Sequence, residues 1–236
     1  MLELKDLHIG YKKILFKVSE LQLGSGQLVS LVGPNGSGKT TFLNTILGTT
    51  KPLNGEVLIQ GESIKEISKS KKVKSLSHVA SKFDGVNHLT VYELIAMGRA
   101  PYTNMLNKLT SEDHKIVSEI IEKLDLKDLQ YQSTTNISDG ERQIAMIGKA
   151  LAQETKMIIL DEPTAFLDYS NRLKVMKLLK NIAIEDEKLI IISTHNIEIC
   201  LDFSDVILAV DNKNNDLRVY RDKVSKESLI SDVFNM

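Results

Sequence analysis

The chain has 236 residues, 42% of them hydrophobic and 26% charged, with a formal net charge of −1. That length supports one large domain or two interlocked ones, and the near-neutral balance argues against nucleic acid as a partner. The single Cys200 excludes an internal disulfide, suits a reducing compartment and is expected to be a small buried apolar residue.

The first residues, MLELKDLHIGYKK, lack an apolar core of signal-peptide length. No apolar run approaches the ~20 residues of a membrane-spanning helix, so a soluble chain that meets a membrane only through a partner is expected. Residues 2–9 alternate apolar and polar, and Val18, Leu21 and Leu23 follow, which predicts strands of a small antiparallel sheet. Tyr11 lies between them, where an aromatic ring could stack on a base or simply pack. Leu28, Val29, Leu31 and Val32 read as a buried strand. Directly after it comes Gly33-Pro34-Asn35-Gly36-Ser37-Gly38-Lys39-Thr40-Thr41, the pattern G-x-x-x-x-G-K-[ST], followed by a helix start at Phe42-Leu43. Gly36 and Gly38 free the backbone to curl into a nest of N–H groups, which together with the helix dipole holds anionic oxygens. Lys39 should reach the outer phosphates of a nucleotide and the Thr40 hydroxyl should ligate Mg²⁺.

Lys51-Pro52-Leu53-Asn54-Gly55 predicts a turn, and residues 56–61 a short strand. Residues 65–74 carry five lysines and one glutamate and read as a solvated connection. A strand is expected over 76–81. Val91, Leu94 and Ile95 mark a helix between Thr90 and Met97, stopped by Gly98 and Pro101. Thr110 to Asp113 resembles a capping box ahead of an amphipathic helix through Leu124. Ser138 suits the N-cap of a helix running to about Gln153. Residues 86–150 therefore read as a helical insertion. Beyond it, residues 157–160 and 189–192 are buried-strand runs separated by a helix marked by Leu173, Met176, Leu179 and Ile182, and residues 206–220 form a hairpin. Strand and helix alternation predicts an α/β fold whose parallel sheet binds phosphates at the carboxyl ends of its strands.

Asp161-Glu162 emerges at such a strand end, where one acid can hold Mg²⁺ and the next can polarise a water. Ser193-Thr194-His195 ends the neighbouring strand and would reach a γ-phosphate. The Ser138 helix start is a further anion site.

In order and spacing, these segments resemble the nucleotide-binding subunits of ABC transporters along essentially the whole chain. Residues 33–41 are similar to Walker A, 157–162 to Walker B with its catalytic glutamate, and 137–141 to the LSGGQ signature. Ala165-Phe166-Leu167-Asp168 resembles the D-loop, His195 the switch histidine and Tyr11 the adenine-stacking aromatic. The resemblance implies a P-loop NTPase fold with a RecA-like parallel core, a small antiparallel β subdomain (about 1–80 and 151–236, with the core) and a helical subdomain (about 86–150). It implies ATP and Mg²⁺ as cofactors, Glu162 and His195 as catalytic residues, and Thr40 and Asp161 as metal ligands. Tyr11, residues 33–41, Ser138, Gly140 and Asp168 would bind the nucleotide. The family also implies a head-to-tail homodimer in which Ser138 and Gly140 of one copy complete the other's site. Its partners would be integral membrane permease subunits and a solute-binding protein, with the chain peripheral on the cytoplasmic face.

Residues 89–102, LTVYELIAMGRAPY, resemble a segment of iron-siderophore, haem and cobalamin importer ATPases, and place Arg99 and Tyr102 near the permease contact. An exporter ATPase would share every catalytic motif and only this stretch argues against it, and a non-transport ABC ATPase is a third class. Three departures from the family pattern stand out. Ser81 occupies the usual glutamine position. Asp139 replaces a signature glycine, near where a partner's triphosphate would lie. Ile144 and Lys149 replace arginines of the signature helix.

Overall fold

The computed structural model describes residues 1–103 and 108–234. The chain begins with β1 (Leu2–Gly10) and β2 (Ile14–Leu23), an antiparallel pair, and continues into β3 (Leu28–Val32) and α1 (Lys39–Ile46). β4 (Asn54–Ile59), β5 (Glu62–Ser63), α2 (Lys69–Ser75) and β6 (Leu76–Val79) follow. The helical stretch comprises α3 (Val91–Ala96), a 3₁₀ segment (Met97–Tyr102), α4 (Ser111–Lys123), a short 3₁₀ turn (Lys127–Leu129) and α5 (Asp139–Ala152). β7 (Met157–Leu160), α6 (Tyr169–Glu185), β8 (Leu189–Thr194), α7 (Ile197–Phe203), β9 (Val206–Asp211), β10 (Asp216–Tyr220) and α8 (Lys226–Phe234) complete the described chain.

Among the described residues the strands form one sheet in the order β5-β4-β1-β2-β10-β9-β3-β8-β7-β6. From β9 to β6 the pairing is parallel, and from β5 to β2 it is antiparallel. The β9–β10 hairpin links the two parts, through a parallel pairing of Asp216 with Lys17. The expected parallel core and small antiparallel sheet are thus continuous.

β3, β7 and β8 are buried at every residue because both faces are covered. Val29, Leu31, Met157, Ile159, Leu189 and Ile191 pack with Phe42, Leu43 and Ile46 of α1 on one face. Leu28, Ile158, Leu160, Ile190 and Ile192 pack with α5 and α6 on the other. Register aligns the strand ends: Val32 lies opposite Thr194, and Leu160 opposite Ile192. Gly33, Asp161 and His195 therefore leave the sheet along one edge.

Some local expectations change. The lysine run is solvated, with no residue of α2 buried, yet it is helical, because Ser68 caps it by accepting the Lys71 N–H at 3.3 Å. α3 ends at Ala96, before Gly98, and the chain tightens into the 3₁₀ segment that contains Pro101. α7 and α8, of 7 and 9 residues, escaped periodicity because each is barely two turns long.

Candidate nucleotide site

The P-loop turn depends on its glycines. Gly36 and Gly38 sit at φ +80° and +100°, and Gly38 is the N-cap of α1. A Cβ on Gly33 would come within 2.6 Å of Ser37 Oγ. The Ser37 N–H closes the turn on the Pro34 carbonyl at 3.2 Å, while its buried hydroxyl has no partner. A buried orphan oxygen inside a cradle of N–H groups fits a bound anion. Lys39, only 6% exposed, donates to the carbonyls of Gly33 (2.8 Å) and Pro34 (3.2 Å) and lies 3.5 Å from Glu162 Oε1. Its ammonium therefore spans the loop toward the acidic pair.

The Asp161 N–H donates to the Val79 carbonyl and extends the β6–β7 pairing. One carboxylate oxygen of Asp161 accepts from Thr40 Oγ1 at 3.1 Å, and the other accepts from the hydroxyl of buried Ser193. Ser193 Oγ also accepts the Glu162 N–H at 2.8 Å, so one side chain orients both acids. Glu162 turns at φ +47°, a left-handed backbone costly for glutamate, which suits a constrained functional position. The turn brings its carboxylate to Lys39 and, at 2.9 Å, to His195 Nδ1. Thr40, Asp161, Glu162, Lys39 and His195 are thus brought together as the sequence predicts. The part of Ser193 as the orienting residue was missed, although a hydroxyl inside an apolar run was its signal.

The remaining predicted residues lie elsewhere. Tyr11 is 66% exposed at the bend between β1 and β2, its ring open to a ligand. The N–H and hydroxyl of Ser138 donate to Glu141 Oε2 at 2.8 and 2.7 Å, and its oxygen accepts the Glu141 N–H at 3.3 Å, forming a closed capping box. A Cβ on Gly140 would meet the Asn171 side chain at 2.8 Å. Asn171, absent from the expectations, is itself held by Asp168, which accepts its N–H at 2.8 Å and its amide at 3.2 Å. Among the described residues no hydrogen bond or ion pair joins Ser138, Gly140 and Asp168 to the P-loop cluster.

The ABC transporter family profile matches residues 16–165. The chain belongs to the ABC transporter family. It is 32% identical over 237 residues to an uncharacterized ABC transporter ATP-binding protein of Methanocaldococcus jannaschii, covering 100% of this chain and 82% of that one. It is 36% identical over 214 residues to the petrobactin import ATP-binding protein FpuC of Bacillus anthracis, covering 91% and 77%. The dimeric structure of an ATP-binding cassette in a post-hydrolysis state, bound to ADP and Pi, superposes with a TM-score of 0.77 at 28% identity, over 94% of this chain and 98% of that one. This ABC subunit binds ATP and is an ATPase.

The departures of this ABC ATPase have definite structures. The Asp139 carboxylate is occupied by Arg142 Nη1 at 2.8 Å, and Arg142 also braces the preceding loop through the carbonyls of Thr134 (2.8 Å) and Ile137 (2.9 Å). Ser81 lines a cleft of about 160 Å³ with Asp139, Gln143, Met146 and Phe166. Arg99, read as lying near the permease contact, is 4% exposed and ion-paired to Asp113. Cys200 is buried, donates to the Asn196 carbonyl at 3.1 Å, and has its thiol pushed up to about 12 by burial. It is inert at neutral pH. No helix among the described residues is long and apolar enough to cross a membrane.

Proposed function

We propose that this chain is the ATP-hydrolysing subunit of an importer of iron chelates such as siderophores. In this reading it works as a head-to-tail homodimer on the cytoplasmic face of integral membrane permease subunits, with a solute-binding protein delivering the chelate. The observation that carries the catalytic part is the meeting of Lys39, Thr40, Asp161, Glu162 and His195 at one sheet edge. The petrobactin-importing relative supports the transport part.

The P-loop N–H groups and Lys39 hold the outer phosphates, and Tyr11 covers the base. Thr40 and Asp161 present a hydroxyl and a carboxylate side by side, a donor set suited to Mg²⁺, which keeps several waters and takes few protein ligands. When bound, Mg²⁺ supplies positive charge that neutralises the phosphate oxygens. Glu162 orients the attacking water and accepts its proton, and His195 fixes that carboxylate from its far oxygen. Ser138 and Gly140 of the partner copy cover the phosphates from the other side, with Asp168 setting the approach. Residues 86–150 move as a helical unit against a core formed by residues 1–80 and 151–236.

Glu162→Gln tests the reading. Turnover should fall by about 100-fold or more while ATP affinity is kept, because only the proton acceptor is lost. Near-normal hydrolysis would remove Glu162 from that role. Co-purification of a permease, and ferric siderophore uptake that stops in the same variant, test the transport assignment.

A further inference from the structure

We propose that Arg99 is a positioning residue for the ATPase reaction: it clamps the C-terminal end of α5, and so aims the N-terminal end that carries Ser138 and Gly140 at the partner's nucleotide. The inference rests on the head-to-tail reading above.

The clamp is a buried network. Arg99 Nε donates to Asp113 Oδ1 at 2.8 Å, and Nη1 donates to the Ala152 carbonyl at 2.8 Å and to Glu154. The guanidinium carbon lies 4.2 Å from the centre of the Tyr102 ring, and the Tyr102 hydroxyl donates to the Gln153 carbonyl at 3.1 Å. The last carbonyls of a helix have no partner within it, and here Arg99 and Tyr102 take two of them. The Gln153 side chain then donates to the carbonyls of Val73 and Leu76, which ties the same end of α5 to α2 and to the start of β6. Packing leaves no slack: a Cβ on Gly98 would lie 2.1 Å from the Lys149 carbonyl, and one on Gly148 would lie 2.9 Å from Leu124.

The other end of α5 is held through the loop that leads into it, by Arg142 donating to the carbonyls of Thr134 (2.8 Å) and Ile137 (2.9 Å). Ser138 bonds within its own first turn, and Gly140 touches Asn171 without a hydrogen bond. The 14 residues of α5 span about 21 Å at ~1.5 Å per residue. A tilt of about 3° at the clamp therefore moves Ser138 by about 1 Å, a displacement able to cost about 100-fold when it falls at a reacting centre. The Arg99–Tyr102 pair thus acts at long range, through the helix, on a site in another copy of the chain.

The test uses the Glu162→Gln chain as reference, since slowed hydrolysis lets an ATP-bound dimer persist. A fluorescent ATP analogue reports nucleotide affinity of the monomer, and sedimentation reports ATP-dependent dimerisation. Added Arg99→Gln should weaken dimerisation by about tenfold or more and leave monomer nucleotide affinity within about twofold. Arg99→Lys should recover part of the loss, because it restores the charge without the fork. Tyr102→Phe should shift dimerisation in the same direction by a smaller factor, and it decides the matter together with Arg99→Lys if Arg99→Gln does not fold. Dimerisation equal to the reference, or nucleotide affinity lost in step with it, overturns the inference. If Ser138→Ala weakens the dimer and the Arg99 and Tyr102 variants do not, this inference alone falls. If the reference chain itself forms no dimer with ATP, the head-to-tail reading falls and takes this inference with it.

Discussion

The P-loop cluster and the α5 cluster carry motifs of the same family yet are built in opposite ways. Around the P-loop, a buried Ser37 hydroxyl has no partner, Lys39 leans on backbone carbonyls, and Glu162 is held in a left-handed turn. Around α5, Ser138 and Glu141 close a capping box and Asp139 pairs with Arg142 at the surface, and the one open group, Gln143 Nε2, is buried beneath them. A site that takes its ligand within its own chain shows polar groups left open. A surface that would be offered to another copy looks finished, and only its placement reveals it.

Lys39→Ala should produce the largest separation between the two clusters. It removes a charged donor worth about 1.5–3 kcal/mol, so ATP affinity by calorimetry should fall by roughly 10- to 100-fold. Ser138→Ala should leave monomer ATP affinity unchanged. It should cost about 1 kcal/mol of stability through the lost cap, read as a melting shift of about 2–4 °C, and should lower turnover of the assembled dimer. Equal losses of ATP affinity in the two variants would erase the distinction.

Acid should test the frame that holds the two clusters. The N–H and hydroxyl of Thr110, with Arg99, hold the Asp113 carboxyl down at about 2. Asp211 is also held at about 2: burial pushes it up, but Asn214, Arg218 and the Lys213 N–H outweigh burial. A carboxyl depressed by folding stabilises the protein fully above its ordinary value near 3.8, and that stabilisation is lost as pH falls through about 2. Denaturant melts between pH 5 and pH 2 should therefore lose stability steeply in the wild type and less steeply in Asp113→Asn, whose residue 113 no longer titrates.

The division between open and closed groups also explains what could be read from the sequence. The strand runs were legible because β3, β7 and β8 are buried on both faces, and the P-loop because its chemistry needs contiguous residues. The Thr110 capping box and the Ser138 cap marked helix starts by residue type, whereas the capping box at Thr90 went unread behind the spacing of Val91, Leu94 and Ile95. Contacts made across the fold left no such mark. Nothing near Gly140 in sequence points to Asn171, and nothing near Arg99 points to Glu154, 55 residues away. The segment 89–102 was recognisable as a pattern, but burial decides its use, and Arg99 faces inward.

Ser81→Gln should have the smallest effect, and it probes the seam between the clusters. Ser81 lines the same cleft as Gln143, Asp139 and Phe166, so the loop after β6 meets the first turns of α5 there. Gln143 Nε2 is buried in that neighbourhood without an acceptor. A glutamine at 81 is long enough to offer its carbonyl oxygen to the cleft, and a neutral hydrogen bond formed there adds about 1 kcal/mol. The melting temperature should therefore hold or rise slightly, and Mg²⁺-dependent turnover should be kept or improve. A severe loss of turnover with stability unchanged would mean that the short Ser81 side chain is itself required, and that this subunit links the two clusters through a cleft that must stay open.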